Sequence, residues 1–180
     1  MGKKITMFGY LGATLAAGIG ALAALMIFVE YDFYYGLNNL GYIVMVLAML
    51  VIAAGTVMNF ISEKDIFDLI ITVTAVVTLV INIIAMGNEE GYLWYRDFFQ
   101  MALMNGLSVC VLAAIGIKTM KLNPMFGIVL IGVFCYFLII VPVIFHIDIS
   151  DELWTIFLIF NAGVKLVAFG LSVVAANQEA

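Results

Sequence analysis

Lys165 is the residue of this sequence with the clearest chemistry. It stands in the middle of the last apolar run, Leu153–Ala176. An ammonium placed halfway along a membrane span costs about 2.5–3.5 kcal/mol, so it is usually paired, hydrated or used. At 100° per residue, Trp154, Asn161, Lys165 and Ser172 fall within about 40° of one another on a helix. They form one polar stripe, which is expected to face the bundle interior because facing lipid would be costly. At 1.5 Å per residue Lys165 lies about 18 Å from the start of its run, too deep for its stem to bring the charge easily to either interface.

No carboxylate occurs at comparable depth in the other apolar runs. Glu30 ends the first run and Asp68 sits in the first turn of the third. The deep polar residues elsewhere are neutral, with Asn82, Thr78 and Thr72 in the third run, Asn105 and Ser108 in the fourth, and Asn59 and Thr56 in the second. Three resolutions are open for Lys165. It is neutral, or it is hydrated among these amides and hydroxyls, or it awaits an anion from a ligand or from another subunit. The bland alternative is a structural lysine bonded to carbonyls and asparagines. The expected ligand-binding set is Lys165, Asn161, Trp154 and Ser172, with Asn82 and Asn105 from neighbouring helices.

Composition fixes the class. The chain has 180 residues, of which 66% are hydrophobic and 11% charged, with a mean hydropathy of +1.22. A soluble domain of this length could not hide so much apolar surface. The net charge of −5 argues against nucleic acid as a partner. Cys110 and Cys135 lie inside apolar runs, so a disulfide framework is not indicated. A single histidine, His146, leaves no set of ligands for an ordinary zinc or bis-histidine haem site, and no metal or cofactor is expected.

Six runs have spanning length: 5–29, 40–61, 66–86, 98–117, 125–147 and 153–176. A crossing helix needs roughly 20 apolar residues, and lipid obliges the backbone to satisfy its own hydrogen bonds. The expectation is one all-α domain over residues 1–180, a bundle of six transmembrane helices. Lys3, Lys4, Lys64, Lys118 and Lys121 all fall on one side of that topology, and Arg96 alone on the other. By the positive-inside rule both termini are then cytoplasmic, and the cell membrane is the expected location. Asn123-Pro124 reads as a helix start, and Pro142 predicts a kink near the outer end of the fifth run.

Two further features suggest contacts. Gly12, Ala16, Gly20 and Ala24 recur every four residues, giving a smooth face for close helix packing, either inside the bundle or against a partner subunit or second copy. The outer segments are acidic and aromatic: Glu30-Tyr31-Asp32-Phe33-Tyr34-Tyr35, then Glu89, Glu90, Tyr92, Trp94, Tyr95, Arg96 and Asp97, then Asp148, Asp151 and Glu152 beside His146. These read as an interfacial belt, or as a vestibule attractive to cations.

No nucleophile elbow, zinc-protease helix or cluster of acids points to catalysis. The functions that remain are a small transporter or its embedded substrate-binding subunit, binding a small ligand with an anionic group at Lys165 in an outward-opening cavity, and an accessory scaffold of a larger membrane complex, with Lys165 and the small-residue face of the first run contacting partner subunits. In size and topology the chain resembles the substrate-capture subunits of energy-coupling-factor vitamin importers. Those proteins also have six helices and often place polar ligand contacts in the last one. The resemblance is one of architecture and implies a ligand site around the sixth run.

Overall fold

A computed structural model describes residues 1–27, 29, 31–86, 98–145, 147 and 150–179. The acidic and aromatic residues Glu30, Glu89, Glu90, Tyr92, Trp94, Tyr95, Arg96, Asp97 and Asp148, and also His146, lie outside the described residues. The side chains of Tyr31, Asp32, Asp151 and Glu152 do so too.

Among the described residues the chain is all helix. In order come α1 (Gly2–Met26), α2 (Tyr31–Glu63), α3 (Ile66–Met86), α4 (Phe98–Leu107), α5 (Cys110–Thr119), α6 (Pro124–Cys135), a π-helical turn (Tyr136–Ile140), α7 (Val141–Phe145) and α8 (Asp151–Glu179). Five helical stretches are long and apolar enough to cross a membrane: α1, α2, α3, the stretch from Pro124 to Ile144, and α8. The α4–α5 pair, bent by 50°, makes a sixth if counted as one span. α1 packs on α2, α2 on α3, α3 chiefly on α5 and α5 on α6, and α8 closes the round by packing on both α1 and α6.

The surface and the interior have the polarity that lipid requires. Large apolar side chains such as Phe8, Leu15, Leu22, Val73, Val80, Phe160 and Val167 stand exposed on the outside. Thr56, Asn59, Asp68, Thr78, Asn82, Thr119, Asn161 and Ser172 are buried. A water-soluble bundle would reverse this arrangement.

Three helices depart from the expected runs. α2 starts at Tyr31, not at Leu40, so the residues 31–35 read as outer loop form its first turns. No proline interrupts 31–63, and nothing stops that helix at the membrane boundary. The fourth run is broken rather than continuous. Asn105 Nδ2 donates to the carbonyl of Met101 at 2.9 Å, and Ser108 Oγ donates to that of Asn105 at 2.7 Å. Such side-chain bonds compete with the backbone ladder. Val109 then turns to φ −133°. The carbonyl of Leu107 at this break accepts instead from Thr78 Oγ1 of α3, at 3.3 Å. Broken backbone at membrane depth is tolerated where neighbouring protein satisfies it in this way.

The third departure surrounds Pro142. Proline has no N–H to give to the carbonyl four residues back. The helix meets this with the widened turn just before it, in which the Val141 N–H donates five residues back to Tyr136. Farther along, α6 starts as its sequence suggests: Asn123 Oδ1 accepts from the Phe126 N–H at 3.3 Å, with Pro124 in the first turn.

α1 and α2 pack antiparallel through small residues. A β-carbon on Gly12 would lie 3.1 Å from Ala48 Cβ, and one on Gly41 would lie 3.4 Å from the Ala16 carbonyl and 3.6 Å from the Gly20 nitrogen. The small-residue face of α1 is thus spent largely inside the chain, on α2. The α2–α3 turn carries one strained position. Lys64 adopts φ 59°, with its N–H donating to the Phe60 carbonyl at 2.9 Å, and Asp65 Oδ1 then caps α3 by accepting from the Phe67 N–H. Left-handed backbone costs an L-residue roughly 1–2 kcal/mol that glycine does not carry. Lys64→Gly is therefore expected to stabilise the fold by up to about 1 kcal/mol, read as a higher unfolding midpoint in detergent.

Candidate functional site

The polar stripe of α8 faces inward, but it divides between two places. At mid-depth, Asn161 Oδ1 accepts from the Tyr136 hydroxyl at 2.7 Å. One turn along, the Lys165 ammonium sits 4.9 Å from the ring centroid of Phe137. Both aromatic partners belong to the π turn. Its extra residue re-aims the chain so that consecutive side chains, Tyr136 and Phe137, meet α8 together, edge-to-face at 5.3 Å between centroids. Among the described residues Lys165 has no carboxylate partner and makes no hydrogen bond. Its charge rests against an aromatic face, a cation–π arrangement that strengthens where water is excluded.

The other expected ligand residues lie apart from this pair. Trp154 packs on Phe157, with centroids 6.1 Å apart, toward the start of α8. Asn82 is buried and donates to the Thr78 carbonyl of its own helix at 2.7 Å. Asn105 is committed to the α4 break. Ser172 lies about 10 Å beyond Lys165 along the helix axis. It is fully buried and belongs to a different cluster.

That second cluster occupies the lysine-rich end of the bundle. Lys118 Nζ donates to Asp68 Oδ1 at 2.8 Å, joining the last turn of α5 to the first turn of α3. The Asp68 side chain is 1% exposed and that of Lys118 is 16% exposed. Beside the pair is a cavity of about 20 Å³. Its walls include Lys3, Thr6 and Tyr10 of α1, Asn59 of α2, Thr119 of α5, and Ser172 with Ala175 and Ala176 of α8. The start of α1 and the end of α8 therefore meet at one end of the bundle. Around this end Lys3 pairs with Glu63 at 3.4 Å, with both side chains substantially exposed, and Lys121 Nζ lies 3.9 Å over the Phe67 ring.

The Asp68–Lys118 pair is the feature that reading the sequence passed over. Asp68 counted as an end-of-span acid and Lys118 as a loop lysine. A signal was present. On α3, Asp68, Thr72, Ala75, Thr78 and Asn82 fall within an arc of about 120°, so the acid lies on the helix's polar, inward face. Which cation it meets there depends on where α5 ends, and sequence spacing does not encode that.

Comparison with protein-family models, with curated proteins and with solved structures finds no match.

Proposed function

We propose that this chain is a small multi-pass transport protein of the cell membrane, or the membrane-embedded substrate-binding subunit of one. In this reading it binds a small ligand through an anionic group at Lys165 and does not transform it chemically. The observation that carries the reading is the setting of Lys165: mid-span, turned inward, resting on Phe137 beside the Tyr136–Asn161 bond. An intramembrane charge with no acidic partner among the described residues suits a ligand that brings one. Both termini lie in the cytoplasm, since Lys3, Lys4, Lys64, Lys118 and Lys121 gather at the end where α1 begins and α8 finishes. In this reading the ligand enters an outward-opening cavity at Lys165, from the face opposite the lysine-rich end. The broken α4–α5 span and the π turn are the kinds of irregular helix found where transporters bind their cargo.

A scaffold role needs Lys165 and the face of Gly12, Ala16, Gly20 and Ala24 to meet partner subunits. Much of that face is covered by α2, which leaves the transport reading better supported.

The test is a panel of small carboxylates and phosphates, scored by thermal unfolding of the purified chain and of Lys165→Met. At a hundred times its dissociation constant, a bound anion stabilises by about 2.7 kcal/mol. The expected outcome is that one anion class raises the wild-type midpoint and leaves Lys165→Met, still folded, unmoved. Equal shifts in both proteins, or none in the wild type, would remove Lys165 from the binding role.

A further inference from the structure

The inward face of α8 is open along its first half and sealed along its second. Exposed side chains mark the face that meets lipid: Ile156, Phe160, Val167 and Val174. At 100° per residue, Trp154, Leu158 and Lys165 lie about 120–180° around the helix from each of them. All three nonetheless keep some accessible surface. Farther along the same face Ala168, Phe169 and Ser172 are each 0% exposed, and Ala175 is buried as well. A crevice therefore follows α8 from Trp154 down to Lys165 and ends there. At 1.5 Å per residue it is about 16 Å long.

The side chains along it set what fits. Lys165 is the only basic residue of the π turn, α7 and α8. It meets one anionic charge, and a second would stay buried without a partner, at high cost. Asn161, one turn nearer the mouth, gives its Oδ1 to the Tyr136 hydroxyl at 2.7 Å, so its amide nitrogen keeps N–H groups to offer. An ammonium and an amide one turn apart suit the two oxygens of a carboxylate. The side chains gathered around them are largely aromatic. Phe137 lies 4.9 Å from the ammonium with Tyr136 edge-to-face beside it, and nearer the mouth the Trp154 and Phe157 rings have centroids 6.1 Å apart. Rings meeting rings in tilted or offset arrangements gain beyond the area they bury, which an alkyl chain does not.

We propose that the ligand at Lys165 is an aromatic monocarboxylate, with its carboxylate on the Lys165 ammonium and the Asn161 amide and its ring body lying along Phe157 and Trp154. The inference rests on the binding role proposed for Lys165 and narrows its ligand to one class. Phosphate and the di- and tricarboxylates carry charge that a single ammonium does not meet. Acetate meets the charge but brings no body to bury against the rings. Ala168 and Phe169 seal the crevice beneath Lys165, so the ligand comes and goes by the Trp154 end.

The experiment is thermal unfolding of the full chain in detergent with 2-naphthoate, acetate, decanoate, inorganic phosphate or the neutral 2-naphthalenemethanol. The midpoint is expected to rise saturably with 2-naphthoate, at concentrations about tenfold or more below those at which acetate acts, and not to respond to the neutral alcohol. Lys165→Met is expected to abolish the rise. Trp154→Leu is expected to raise the half-saturating 2-naphthoate concentration by about tenfold and to leave that of acetate unchanged. If Lys165→Met fails to fold, Trp154→Leu carries the test. Acetate, phosphate or decanoate acting as strongly as 2-naphthoate, with the effect lost in Lys165→Met, overturns the aromatic class and leaves Lys165 an anion site. A 2-naphthoate response that survives in Lys165→Met, that Trp154→Leu leaves unchanged, or that the neutral alcohol matches also overturns it. No response to any of the four anions overturns the class and the binding role of Lys165 together.

Discussion

Lys118→Met is expected to destabilise the fold by about 3 kcal/mol, and adding Asp68→Leu is expected to return stability to within about 1 kcal/mol of wild type. The single change leaves Asp68 as a carboxylate at 1% exposure with neither oxygen partnered by a cation. Removing one member of a buried ion pair typically costs 3–5 kcal/mol, through the uncompensated charge. The lower end applies because the Lys118 side chain is 16% exposed and water already screens the pair from that side. Removing both charges takes away the Coulomb attraction together with the desolvation it had to offset, and the adjoining cavity of about 20 Å³ gives leucine room. The measurement is a double-mutant cycle on unfolding midpoints. Additive losses in the double variant would mean that the two residues are not energetically coupled.

The α1–α2 contact gives the other large effect, and it sorts glycines by what surrounds them. Gly9→Ala and Gly55→Ala are each expected to cost about 1–3 kcal/mol, the range for overpacking a tight interface. A β-carbon on Gly55 would come within 2.6 Å of the Thr6 nitrogen and 3.0 Å of the Gly2 carbonyl, and one on Gly9 within 2.8 Å of the Ile52 nitrogen. These neighbours are backbone and cannot rotate away, so the helices must part. Gly20→Ala, Gly132→Ala and Gly170→Ala meet nothing within 4 Å and should be neutral or slightly stabilising, because alanine is the better helix former by about 1 kcal/mol. Unfolding midpoints of the five variants check the contrast. Similar losses at Gly20 and Gly55 would contradict the antiparallel packing of α1 on α2.

Much of the architecture was legible in the residues. Apolar runs of crossing length in a chain with 11% charge leave helices as the form compatible with lipid, and the structure has five such helices plus a bent pair. The Asn123-Pro124 start of α6 was legible because capping is a local matter of one side chain and one turn. The break at Ser108–Val109 was not. Asn105, Ser108 and Gly106 are each tolerated in a helix, and only Thr78 of α3, by accepting the task of satisfying Leu107, makes an interruption there affordable. Pro142 announced an irregularity, but its form, a wide turn presenting Tyr136 and Phe137 side by side, depends on what α8 offers opposite it.

The candidate sites divide along the same line. The sequence alone determined that Lys165 lies deep, on one stripe with Asn161 and Ser172, because helical period and burial cost act within a single segment. It could not determine that Phe137 covers the ammonium, that Ser172 belongs to another cavity, or that Asp68 and Lys118, fifty residues apart, form a buried pair. Those facts follow from how six apolar stretches choose their neighbours. Lipid-facing leucines are nearly interchangeable, so the choice falls to small residues that let backbones approach and to the few polar groups that must find one another.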